Sequence, residues 1–239
     1  MSSALQGQSS EASSLETATR SSNGSTDQST EGSKSPIRRI AQNGYRSQNL
    51  NRYTTSSRIY RWHTDVFHEA LLDLIDSATP SPRSILDAGC GEGYVSNLIA
   101  ERNPQAKLTG IDASEGAIAY AQTNFGHAGD YQVASIFELP FPDNHFDLVL
   151  CSEVLEHLDD PMSALEELKR VSRRHVLITV PREPIFKFLN DVGKTLRLCG
   201  DPGHVNFWTK QDFQDVFQPH FSDTEFSWKH TYQLMLAEI

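Results

Sequence analysis

The chain has little cysteine, three in 239 residues, and Cys90, Cys151 and Cys199 form an odd, widely spaced set. That argues against a disulfide framework and fits a reducing, cytoplasmic setting. No apolar run approaches the ~20 residues that span a bilayer, so no transmembrane segment is expected. Residues 1–35 lack apolar side chains almost entirely and consist mostly of Ser, Thr, Gln, Gly and Glu. Such a stretch cannot offset the entropy of ordering, and a disordered Ser/Thr-rich tail is expected. It has no apolar core of a secretory signal, and Glu11, Glu16, Asp27 and Glu31 argue against a transit peptide. Residues 36–62 lack acids but carry Arg38, Arg39, Arg46, Arg52, Arg58 and Arg61. They read as a basic linker or capping segment, with peripheral contact to an acidic membrane surface as a further option. The net charge is −10, so the remaining body is strongly acidic, which argues against nucleic acid as a partner.

Residues 63–239 carry a regular pattern. Thr64 is placed to cap a helix bearing Val66, Phe67, Ala70, Leu71, Leu74 and Ile75 at helical spacing. Strands are expected at 84–87, 107–111, 131–134, 146–150 and 175–180. Helices fall between them: from Tyr94, after the cap Ser114, and from Pro161 in the first-turn position that proline favours. This alternation implies a doubly wound, mostly parallel α/β sheet. Thr209 caps a last helix, and the segments 224–228 and 232–236 are close enough to form a C-terminal β-hairpin, which brings the expected sheet to seven strands. Between them, Ile185, Phe188, Leu189, Val192 and Leu196 share one helical face, as a pocket cap or a docked amphipathic helix would.

The chemistry is concentrated where the first strand runs into glycines: Ile85-Leu86-Asp87-Ala88-Gly89-Cys90-Gly91-Glu92-Gly93. Ligands of open α/β sheets bind beyond the strand C-termini, at the switch point. Glycine is required there because a Cβ would block close approach to the backbone. The spacing is G-x-G-x-G. A dinucleotide fingerprint would need a small residue where Tyr94 stands. Asp112 ends the second strand about 20 residues on, where an acid can take both hydroxyls of a ribose. An adenosyl ligand without a pyrophosphate fits better than NAD, and a nicotinamide oxidoreductase is the weaker reading.

The glycine stretch resembles the first motif of class I S-adenosylmethionine (SAM)-dependent methyltransferases. Leu139-Pro140-Phe141-Pro142-Asp143-Asn144-His145-Phe146-Asp147-Leu148-Val149 and Ser152-Glu153-Val154-Leu155-Glu156-His157-Leu158 are similar to two further blocks of that family, in the same order. Gly203-His204-Val205-Asn206-Phe207-Trp208-Thr209 resembles a later segment of its quinone-biosynthesis and small-molecule group. The resemblance implies a Rossmann-like class I methyltransferase fold over 63–239, with 36–62 as a possible cofactor cap, and SAM as the cofactor. It implies that Asp87 and the backbone of Gly89, Cys90 and Gly91 hold the methionine part, with Gly93 also at the cofactor. Asp112 would take the ribose, with Ala113 beside the adenine. Where many members carry an acid for the adenine amino group, this chain has Ser135, next to Ile136. Glu153 would face the methyl-transfer end.

A methyl group leaves a sulfonium readily, so the enzyme mainly holds the acceptor in line. A base helps where the acceptor is a hydroxyl or protonated amine. Glu153 and His157 are spaced to share a helical face, and His157 and His204 are the candidate bases. No metal site is expected. The partner is a small-molecule acceptor whose O, N or C nucleophile the sequence does not name. The alternative is a SAM-fold subunit that has lost activity and supports a partner.

Overall fold

The computed structural model describes Ser47, residues 56–185 and residues 203–239. The Ser/Thr-rich tail, most of the basic segment including Tyr53, the amphipathic face from Phe188 to Leu196, and Cys199 lie outside the described residues.

The described elements run α1 Arg58–Ser77, β1 Ser84–Ala88, α2 Tyr94–Arg102, β2 Lys107–Asp112, α3 Glu115–Phe125, β3 Asp130–Val133 and β4 Phe146–Ser152. After a 3-10 turn, Leu155–His157, come α4 Pro161–Val171, β5 Ser172–Pro181, α5 Lys210–Phe217, β6 Asp223–Lys229 and β7 Tyr232–Glu238. The seven strands form one sheet in the order β3-β2-β1-β4-β5-β7-β6. Strands β1 to β5 pair in parallel. β7 pairs antiparallel with both β5 and β6, closing the hairpin expected from sequence. The order reverses between β1 and β4, so a crevice opens beyond their C-terminal ends.

Strand alternation sends side chains to two cores. On one face Ile85, Leu148, Leu150, Leu177 and Leu234 pack under α1 and α2, which supply Phe67, Leu71, Ile75 and Ile99. On the other, Leu86, Val149, Cys151, Val176, Ile178 and Met235 pack under α4 and α5, with Leu165, Leu168, Phe213 and Phe217. Central strands buried on both faces read as continuous apolar runs, which is why β4 was legible.

The helix ends show the local chemistry. Asp160 accepts from the Ser163 backbone at 3.0 Å ahead of Pro161. Thr209 and Asp212 form a reciprocal capping box. The first helix departs from expectation. It begins at Arg58, and Thr64 lies inside it rather than at its cap. The Ser57 carbonyl accepts from Arg61 N at 3.0 Å and opens the helix. Its first turn is exposed at Arg58, Arg61 and Trp62. An exposed turn needs no apolar periodicity, so the pattern showed the helix only where it docks.

Candidate active site

The glycine loop joins β1 to α2. Gly89 and Gly91 have φ of +87° and +53°, in the left-handed region that favours glycine. A Cβ on Gly89 would stand 2.4 Å from Val154 Cγ2, whereas one on Gly91 would meet nothing within 4 Å. Gly89 is therefore fixed by packing, and Gly91 faces open space. The N–H groups of the loop turn toward β2. Gly89 N and Cys90 N both donate to Ile111 O at 2.8 Å, and Gly91 N donates to Asp112 Oδ2 at 2.9 Å. These donors are spent within the protein. A pyrophosphate would need them free.

Asp87 strengthens that polarity. It is buried, and it accepts from Ser96 Oγ of α2 at 2.5 Å. Burial pushes its carboxyl up to about 6, against the Ser96 hydrogen bond and aided by the negative Asp112. A buried carboxylate facing a cavity suits a cationic ligand.

A cavity of about 170 Å³ lies over this loop, lined by Asp87, Gly89, Gly91, Glu92 and Glu153, with Phe67, His68 and Thr64 of α1 and Tyr232 of β7 as further wall. Glu92 accepts from Ser47 Oγ at 2.6 Å, so a residue of the basic segment reaches the glycine loop. Tyr94, at the position of the missing third glycine, packs sideways against α3, where its hydroxyl meets that of Tyr120 at 2.9 Å. Gly93 sits against Ala121 and belongs to the packing of the turn.

Asp112 accepts from Gly91 N through one oxygen and from Ser114 N, at 2.8 Å, through the other. Each oxygen keeps a lone pair for a ligand hydroxyl. Ala113 is exposed beside it, and Ala134 N donates to Asp112 O at 3.1 Å, which brings the next loop alongside. In that loop Ser135 Oγ accepts from Phe137 N at 3.2 Å, keeping its own proton to donate, and Ile136 is buried. Asp112, Ala113, Ser135 and Ile136 stand outside the 170 Å³ cavity, along the ends of β2 and β3.

Beyond β4 the expectation of a helix is corrected. Glu153 has φ +57° and only a 3-10 turn follows, so Glu153 and His157 do not share a helical face. Glu153 instead accepts from Thr179 Oγ1 at 3.3 Å and lines the cavity. The neighbour of His157 is Glu156, Nε2 to Oε1 3.8 Å. Glu156 is 1% exposed, and neither carboxylate oxygen has a hydrogen-bond partner. Burial, with the negative charge of Glu153, pushes its carboxyl well above the usual range. His204 joins this pair, its ring centroid 4.8 Å from that of His157. The strap bearing His204 is held by Val205 N and Asn206 N, which donate to Glu156 O at 2.8 and 3.0 Å. The structure thus unites His157 and His204 but sets them beside the cavity rather than in its lining. Glu156 was missed, because a Glu in a polar motif carries no sign of burial.

A methyltransferase-domain family matches residues 86–179, which run from the glycine loop's strand into β5. Residues 86–179 carry a methyltransferase domain. This domain is 36% identical over 147 residues to a ubiquinone biosynthesis O-methyltransferase from Hahella chejuensis, covering 58% of this chain and 61% of the relative. The chain spans less than two thirds of the length of the curated relatives it matches. Its fold is shared with a magnesium protoporphyrin IX methyltransferase from Synechocystis PCC 6803 solved with bound SAH. The TM-score is 0.58 at 16% identity, covering 80% of this chain and 94% of that one. The [4+2]-cyclase SpnF has the same fold at TM-score 0.57 and 17% identity, covering 75% and 82%. Within the methyltransferase domain, no described helix is long and apolar enough to cross a membrane.

Proposed function

We propose that the protein transfers a methyl group from SAM to an O, N or C nucleophile of a small molecule. The observation that carries this reading is the polarity of the cradle: buried Asp87 and a loop whose Gly89, Cys90 and Gly91 N–H groups are already used. Such a cradle fits an ammonium and a sulfonium and disfavours a pyrophosphate. A shared fold alone would not suffice, since folds host unrelated reactions.

When bound, SAM supplies an electrophilic methyl on a positively charged sulfur. Asp87 and the loop carbonyls would hold its amino-acid part, and Asp112 its ribose hydroxyls. Ala113 and Ile136 would flank the adenine, with Ser135 giving one hydrogen bond. Glu153 reaches the cavity from the end of β4, where the acceptor would meet the methyl group. The walls Phe67, Tyr94, Val95 and Tyr232 favour an acceptor with an apolar or aromatic body. Their task is to hold it in line, which can supply several kcal/mol. His157 and His204, beside the cavity, would assist loss of the proton of a hydroxyl acceptor.

The test is transfer of labelled methyl from SAM to a panel of small phenols, quinols, amines and carboxylates. Label in any of them, lost on Asp112→Ala, supports the reading. SAM binding with no transfer to any class would favour the inactive binding subunit.

A further inference from the structure

Glu156 is buried, its two carboxylate oxygens have no hydrogen-bond partner, and it lies beside two imidazoles. One ligand atom from each of Glu156, His157 and His204 lies within 4.8 Å of the others.

The tautomer of His157 follows from its partner. Nδ1 lies 3.2 Å from the Gly203 carbonyl oxygen, which can only accept, so Nδ1 carries the proton. Nε2 is then the ring atom turned toward Glu156 Oε1, at 3.8 Å. The two atoms face each other beyond hydrogen-bond reach, and both Glu156 oxygens are buried without a hydrogen-bond partner. A cation between them would engage both atoms. Metal-binding histidines commonly donate their second ring N–H to a backbone carbonyl, as His157 does.

The backbone is braced for the same purpose. Val205 N and Asn206 N donate to Glu156 O, and Asn206 Nδ2 donates to Leu158 O at 2.6 Å. Both sides of the cluster are therefore fixed to one another without the Glu156, His157 and His204 side chains.

We propose that Glu156, His157 and His204 bind one divalent first-row transition cation. Two imidazoles and one carboxylate suit Zn²⁺, Co²⁺ or Mn²⁺ better than Ca²⁺ or Mg²⁺. Three protein ligands leave a position open, as in catalytic rather than structural sites. That position would take an oxygen of the acceptor and favour its deprotonated form. This role rests on the methyl-transfer reading, whereas cation binding itself does not.

The test uses the full chain, stripped with EDTA and titrated with Co²⁺ alone, following its visible absorption, then with Zn²⁺ in competition. The expected result is one Co²⁺ per chain, displaced by Zn²⁺, with affinity at least tenfold weaker in Glu156→Gln and in His204→Ala. His204 lies on a surface strap, so its loss should spare the fold. SAH binding, measured on the same samples, reports the cofactor site separately. Uptake no stronger in the parent than in His204→Ala, or equal in both variants and parent, overturns the proposal even where SAH binds. Failure of SAH binding with Co²⁺ uptake intact would instead count against the methyltransferase reading.

Discussion

Gly91 N donates to Asp112 Oδ2 at 2.9 Å and so ties the loop after β1 to the end of β2. The two sequence features that together suggested an adenosyl ligand are in physical contact. Asp112 holds the glycine loop in addition to its proposed contact with the ribose, and its substitution should act on both.

Asp87 makes ligand binding and stability depend on pH in opposite ways. Its carboxyl is raised to about 6 in the folded protein, above the ordinary unfolded value near 3.9. The folded state therefore holds the proton more tightly. The penalty of the buried charge is absent below about pH 4, grows through pH 4–6 and is complete above 6, reaching about 3 kcal/mol. Asp87→Asn should stabilise the ligand-free protein at pH 7.5 by up to that amount and hardly at all at pH 4, in urea unfolding. SAM affinity of the parent should fall from pH 7 to 5 as the carboxylate is neutralised. A flat profile would remove Asp87 from the cation-binding role.

Glu153 holds a left-handed backbone that a side chain pays roughly 1–3 kcal/mol to adopt. Glu153→Gly should leave thermal stability unchanged or raise it, while methyl transfer falls at least tenfold. A melting temperature several degrees lower, with transfer intact, would mean that Glu153 serves the fold.

Arg170 explains the second sequence block without chemistry. It donates to Leu139 O at 2.9 Å and Phe141 O at 2.8 Å, and pairs with Asp143 and Glu167. Glu167 in turn accepts from Leu139 N at 2.8 Å. The block is a loop stapled to α4. Arg170→Ala should cost about 1–2 kcal/mol in denaturant unfolding, from lost hydrogen bonds at a partly exposed site. SAH affinity should change less than threefold.

The strands, the glycine turn and the hairpin were legible because burial on both faces and left-handed turns leave direct marks on residue choice. The start of α1 was not, since Arg58, Arg61 and Trp62 touch solvent and need no pattern. The end of β4 misled for a related reason. The i to i+4 spacing of Glu153 and His157 presumes a helix, and nothing in a glutamate announces a φ of +57°. Which acid approaches His157 depends on the strap around Val205, which lies about fifty residues away along the chain and closes over Glu156 only in three dimensions. Ser47 beside Glu92 is likewise a long-range contact without a local signature.

The most direct test of the account is calorimetric titration of the full chain with SAM, SAH and NAD, repeated with Asp112→Ala. Micromolar binding of SAM and SAH is expected, weakened at least tenfold by the substitution, or about 1.4 kcal/mol, with no binding of NAD. Binding of NAD, or SAM affinity untouched by Asp112→Ala, would contradict it.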